Sequence, residues 1–196
     1  MLSNEVRVAF APERTYKELL ASDAPVTWWQ TLHRPAMIIL IIGVVIPTTA
    51  LHRLTFGTVV SAAAVWSIAL AIEYVAAMCV IASAAGRKLS MPHALDLWFA
   101  GQLPYSFWLL TLPITTTLFR FPPLDLIALT AIVPTIWTTF IIAAFCRTIL
   151  GVSSLGAQVR AGVHVGAFIV VTSTLFIISA GGGIAVWSYM TRQWGL

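Results

Sequence analysis

Glu73 is the residue whose surroundings most constrain its chemistry. It is the one charged side chain in a long apolar run, VVSAAAVWSIALAIEYVAAMCVIASAA. A carboxylate in such surroundings is costly, so it must face other protein, carry a proton or meet a donor. Depth counting supplies the donors: Glu73 stands thirteen residues before Gly86, and Gln102 and Tyr105 stand a comparable distance into the returning apolar run. An antiparallel hairpin of two helices brings the three to one depth, and the expectation is a Glu73–Gln102–Tyr105 hydrogen-bond cluster. Such a cluster serves either as a polar clasp between helices or as a site for a proton or ligand. A lone acid makes no relay, which favours the clasp.

Other groups invite a chemical reading and lose it on inspection. Ser90, His93 and Asp96 follow i, i+3, i+6 spacing, but Ser90 precedes Pro92 in the manner of a helix N-cap. No GxSxG elbow accompanies them. Asp96 is instead expected to pair with Arg147, since both fall near the same ends of their helices. His33, His52, His93 and His164 show no HExxH or other ligand spacing. Gly181, Gly182 and Gly183 lack the following Lys–Ser/Thr of a phosphate loop. Cys79 and Cys146 lie in apolar stretches and read as small buried hydrophobes. An intramembrane hydrolase needs paired acids at one depth, and Asp96 and Asp125 fall near opposite faces. The residues therefore point to a chain that is not an enzyme, with no catalytic, cofactor-binding or metal-ligating set.

The elements that must position these residues are set by composition. Of 196 residues, 59% are hydrophobic and 9% charged, against about a quarter charged in a soluble domain. So few charges cannot coat a globule in water, but they suffice if most of the surface faces lipid. A hydrocarbon core takes roughly 20 apolar residues of helix. Five stretches qualify, at about 36–54, 57–85, 94–118, 125–146 and 163–190. The fold expected is all-α, a bundle of five transmembrane helices. The second, rich in Ala and Ser from Ser61 to Ala77, is expected at its centre, because small side chains let helices approach closely in lipid. Pro104 and Pro113 in the third span, and Pro134 in the fourth, are expected to bend their helices.

The basic residues set orientation. Arg7, Arg14, Lys17, Arg34, Arg87, Lys88, Arg147 and Arg160 share one side, and Arg53, Arg120 and Arg192 the other. The positive-inside rule then puts the N-terminus in the cytoplasm and the C-terminus outside. The net charge of +4 comes from residues scattered singly between apolar runs. It suits lipid headgroups rather than nucleic acid. The first thirty residues carry too many charges for a secretory signal. Residues 1–35 read as a cytoplasmic segment on the membrane interface, with a helix opened by Pro12 and tandem Trp28 and Trp29 as an interfacial anchor or partner contact.

Two stretches carry a resemblance. One is GRKLSMPHALDLWFAGQLPYSFW, a Gly-basic link followed by a helix of aromatic and small residues leading into Pro104. The other is IWTTFIIAAFCRTILGVSSLGAQVRAGV, with Trp137 inside a helix, a Gly151-Val152-Ser153 turn, and Ala157 opening the next segment. In order and layout, over roughly residues 10–190, the chain resembles the Yip family of Ypt/Rab-interacting membrane proteins. It looks like a short bacterial-type member, because the long hydrophilic N-terminal region of eukaryotic members is lacking. The resemblance implies a five-span fold in the bacterial inner membrane, without Rab binding and without catalytic residues. The function expected is a scaffold or accessory subunit of a membrane complex, with the bilayer and a membrane-protein partner or further copies of itself as partners. The alternative is a small oligomeric transporter, channel or lipid-handling protein that uses Glu73.

Overall fold

The computed structural model of the chain describes residues 2–21, 26–50, 54–84, 86, 88–118, 124–171 and 174. Their regular elements are α-helices: α1 (Leu2–Phe10), α2 (Pro12–Leu20), α3 (Trp28–Thr31), α4 (His33–Ala50), α5 (Phe56–Ala82), α6 (Met91–Ala100), α7 (Leu103–Leu118), α8 (Leu124–Thr148) and α9 (Ser154–Val171). Four helical runs are long and apolar enough to cross a membrane: Trp28–Val45, Phe56–Ala82, Leu129–Thr148 and Ser154–Val171.

Local chemistry explains several boundaries. Pro12 opens α2, where its missing N–H has no intrahelical partner to lose. A capping box starts α5: Thr58 N–H donates to Thr55 Oγ1 at 3.2 Å, and Thr55 N–H donates to Thr58 Oγ1 at 2.9 Å. Gly151, at φ 65°, turns the chain after α8. Ser153 then accepts the Gly156 N–H at 3.3 Å as α9 begins. The last helix thus starts at Ser154, not near residue 163. Its expected far end lies outside the described residues.

The third apolar stretch is not one bent helix. It is interrupted at Gly101–Gln102, and the pieces α6 and α7 are each too short to cross alone. Gly101 closes α6, donating its N–H to Trp98 O at 3.1 Å. A Cβ at Gly101 would stand 2.9 Å from Ile141 Cγ2 and 3.3 Å from the Tyr16 hydroxyl. Only a bare backbone lets α8 and α2 close on the break. Pro104 falls in the first turn of α7, where proline starts a helix rather than bending one.

The centre of the bundle is also not where the small residues suggested. Ala94, Leu95, Leu97, Trp98 and Phe99 of α6 are buried, as is every residue from Ile141 to Cys146 of α8. Helix α5 buries one stripe, Trp66, Ala69, Leu70, Glu73, Ala77 and Ile81, while Ala64 and Ala71 are exposed. Its small residues serve a two-helix seam: a Cβ on Gly43 of α4 would lie 3.0 Å from Ala63 Cβ. Cys146 is buried as expected, but Cys79 is exposed on the outer face of α5.

The N-terminal helices join the same core. Val8, Ala9 and Tyr16 are buried in it. Trp137 Nε1 donates to Ala9 O at 2.8 Å, and the Tyr16 hydroxyl donates to Leu97 O at 3.4 Å. Helix α1 packs on α6, α7 and α8, and α2 packs on α8. The segment is a cap on one end of the bundle. The links after α5 and after α8 meet at one end too: Lys88 N–H donates to Ile149 O at 3.1 Å, and a Cβ on Gly86 would stand 3.0 Å from Leu150 O.

Candidate functional site

Glu73 is 3% exposed, in the middle of the stripe that α5 turns toward the bundle. The interruption between α6 and α7 delivers Gln102 to it. Gln102 Nε2 donates to Glu73 Oε1 at 2.6 Å, a short hydrogen bond. Because the helix is broken there, the Gln102 side chain enters from a turn rather than from a helix flank. Tyr105, one turn into α7, lines the same cavity and meets Phe168 edge-on at 5.6 Å. It is a wall of the site rather than a hydrogen-bond partner of Glu73.

Two residues that depth counting did not bring here complete the site. His164 of α9 is buried, with Nε2 at 3.7 Å from Glu73 Oε1. That distance is too long for a direct hydrogen bond and short enough for strong electrostatic contact. Thr138 of α8 is 4% exposed. Both His164 Nε2 and Thr138 Oγ1 are buried without a hydrogen-bond partner among the described residues. The groups surround a cavity of about 20 Å³, walled also by Thr135, Val165, Phe168 and Ile169. The Trp98 and His164 rings pack at right angles, with centroids 4.7 Å apart and planes at 88°. No cluster of three or more metal-ligating side chains occurs among the described residues.

The signal for His164 was present in the sequence. Ala157, Ala161, His164 and Val165 recur at helical spacing and are all buried. Starting α9 at residue 163 left His164 at the membrane entrance, whereas starting it at Ser154 carries His164 three turns in.

The expected Asp96–Arg147 pair is not formed. Arg34 of α4 takes Asp96, through both its carboxylate and its backbone carbonyl, the latter at 3.1 Å. The same guanidinium reaches Glu5 Oε1 with Nε at 3.1 Å and Nη2 at 2.8 Å. Arg147 turns instead to Glu13 on α2. Depth along a helix put Asp96 and Arg147 at one end of the bundle, but depth says nothing of direction around the axis, and α4 supplies a nearer partner for Asp96 and the N-terminal cap one for Arg147.

Outside the membrane-long helices, the guanidiniums of Arg14 and then Arg7 hold the Glu18 carboxyl below the usual carboxylate range. Burial raises the Tyr16 hydroxyl well above the ordinary phenol value, so it stays a neutral donor. Trp28 and Trp29 lie in α3, which opens with Thr27 N–H donating to Gln30 Oε1 at 2.7 Å. Both rings are exposed, Trp29 by 82%. Compared with family models, with curated proteins and with solved structures, the chain finds no match.

Proposed function

We propose that the chain is an integral membrane protein that works without catalysis, as a scaffold or accessory subunit of a membrane complex. One observation carries this reading: several polar side chains tie separate elements together. Arg34 links α1, α4 and α6. Arg147 links α8 to α2. Arg160 links α9 to α5 through Val80 O and Ser83 Oγ. Gln102 links the α6–α7 break to α5. Meanwhile large apolar side chains such as Phe10, Trp29, Phe107 and Phe140 face outward. A body built this way keeps its shape and offers its surface to lipid and to partner helices.

In this reading the chain makes five passages, the four long helices plus the α6–α7 pair taken as one interrupted span. The N-terminal cap is cytoplasmic, in a bacterial inner membrane, as the excess of basic residues on that side supports. The layout is that of a short Yip-like protein. The test is photo-crosslinking from Trp29 and from the lipid-side position Val133, in native membranes, with mass spectrometry of the adducts. A single stoichiometric protein partner captured from position 29 is the expected result. Capture of lipid alone from both positions, with the tagged chain running as a monomer, would sink the reading.

The position of Glu73 beside an interrupted helix favours a second reading, a small oligomeric transporter or lipid-handling protein. Broken helices place free backbone groups next to ligands in membrane carriers. Proton, ion and lipid flux in proteoliposomes that Glu73→Gln leaves unchanged would remove it.

A further inference from the structure

We infer that the cavity between Glu73, Thr138 and His164 is a binding site for a single proton, shared by Glu73 and His164 through one water molecule. The inference rests on neither functional reading above. Three observations lead to it.

The first is charge. Glu73 and His164 are each less than a tenth exposed and 3.7 Å apart. With one proton between them the pair is neutral overall, whichever partner holds it. Remove that proton and a carboxylate is left alone in an apolar interior; add a second and an imidazolium is left alone. Either single charge is heavily penalised there. The proton belongs to the pair rather than to one residue. Uncharged groups face the pair from the other elements: Gln102 from the α6–α7 break, Tyr105 from α7, and Thr135 and Thr138 from α8. The nearest cation along α9, Arg160, is held by Val80 O and Ser83 Oγ.

The second is unsatisfied polarity. His164 Nε2 and Thr138 Oγ1 both line the cavity and both lack a hydrogen-bond partner among the described residues. Orphaned buried polar atoms are rare, and a bridging water is the ordinary remedy. The third is size. About 20 Å³ accepts one water, which needs roughly 10–15 Å³ and two to four polar partners. Glu73, His164 and Thr138 provide three.

The donor set selects a proton over a hard cation. Sodium-like ions want a shell of oxygens, whereas this site offers an imidazole nitrogen and has its amide nitrogen, Gln102 Nε2, turned toward the carboxylate. The site lies seven residues along α5 from Val80, or about 10 Å below the level where Arg160 reaches the helix end. A proton bound there is shielded from solvent but close to one face.

The experiment uses the full chain in nanodiscs at neutral pH. The imidazole nitrogen shifts of ¹⁵N-labelled His164 report its protonation. The carboxylic-acid C=O infrared band, assigned by its absence in Glu73→Gln, reports Glu73. Each single variant should hand the proton to the remaining partner or lose it as neutrality dictates. Glu73→Gln should leave His164 neutral, and His164→Gln should leave Glu73 fully protonated. Thr138→Val should keep one proton on the pair and lose the water contact to the His164 ring. A charged His164 in Glu73→Gln, or an ionised Glu73 in His164→Gln, overturns the proposal. So does proton release on adding sodium ions at fixed pH, which would assign the cavity to a cation. If neither single variant folds, the wild-type spectra decide: a proton on both residues, or on neither, is equally fatal.

Discussion

A buried carboxylate with one short hydrogen bond is most vulnerable to loss of that donor. Gln102 Nε2 stands 2.6 Å from Glu73 Oε1, and leaving a buried polar group without its partner costs about 1–3 kcal/mol. Gln102→Leu removes the donor, keeps the volume similar and leaves the acid stranded. We expect it to destabilise the bundle by about 2–3 kcal/mol. The double variant Glu73→Leu, Gln102→Leu should recover part of that loss, because apolar pairs replace buried polar pairs at little cost. Thermal unfolding in nanodiscs, followed by tryptophan fluorescence, reads both. A neutral Gln102→Leu would mean the bond does not hold α5 to the break. At this scale the sequence was informative where chemistry and depth agree. A lone acid before Gly86 and a Gln at a similar depth in the returning apolar run do meet. It was silent where direction around the helix decides, which is why Asp96 and Arg147 took other partners and why Thr138 went unnoticed.

At the scale of elements, the cap formed by α1 and α2 has its own electrostatics. Arg7 and Arg14 both bond Glu18, and they lower the carboxyl from its ordinary value. A group depressed in the folded state stabilises it above the unfolded value, and that contribution is lost as pH falls through the folded one. The cap should therefore loosen in acid. Hydrogen exchange of residues 2–21, corrected for intrinsic rates, should rise below the usual carboxylate range. Glu18→Gln should show faster exchange already at neutral pH and little further change in acid. Equal acid response in both proteins would place the switch elsewhere. The α4–α5 seam yields a second expectation. Gly43 faces Ala63 Cβ at 3.0 Å and Val59 O at 3.2 Å from its absent Cβ. Gly43→Leu must push the helices apart, and overpacking of this kind costs about 1–3 kcal/mol. Unchanged thermal stability would mean the seam is looser than these distances. Most elements were legible, because long apolar runs, Pro12 and the Ser90 boundary are local signals. The break at Gly101–Gln102 was not, since it depends on Ile141 and Tyr16 arriving from distant parts of the chain. The early start of α9 was missed for another reason: Arg160 interrupts the apolar run, yet its head reaches back to the end of α5, as long basic side chains do near helix ends.

For the whole molecule the open matter is how these helices sit across a bilayer. Helix α5 has 27 residues, hence a length of about 40 Å, more than the roughly 30 Å hydrocarbon core. It must tilt or protrude. Its first turn, with Phe56 exposed beside the Thr55 cap, then marks one membrane face. The other face is marked by the meeting of the two links at Gly86 and Gly151 and by the cap that Arg147 binds through Glu13. Because both links and the cap gather at one end, the N-terminal cap and residues near Ser153 must share a side, opposite to Thr55. Single cysteines at Thr55, Ala21 and Ser153, in a background with Cys79 and Cys146 replaced by alanine, test this with a membrane-impermeant thiol reagent. In vesicles of one orientation, Ala21→Cys and Ser153→Cys should label together, and Thr55→Cys only from the opposite side. With the basic residues gathered beside the cap, the positive-inside rule adds that Ala21→Cys and Ser153→Cys label in inverted vesicles. Labelling of all three from one side would mean that α5 does not cross, and the five-passage arrangement would fall with it.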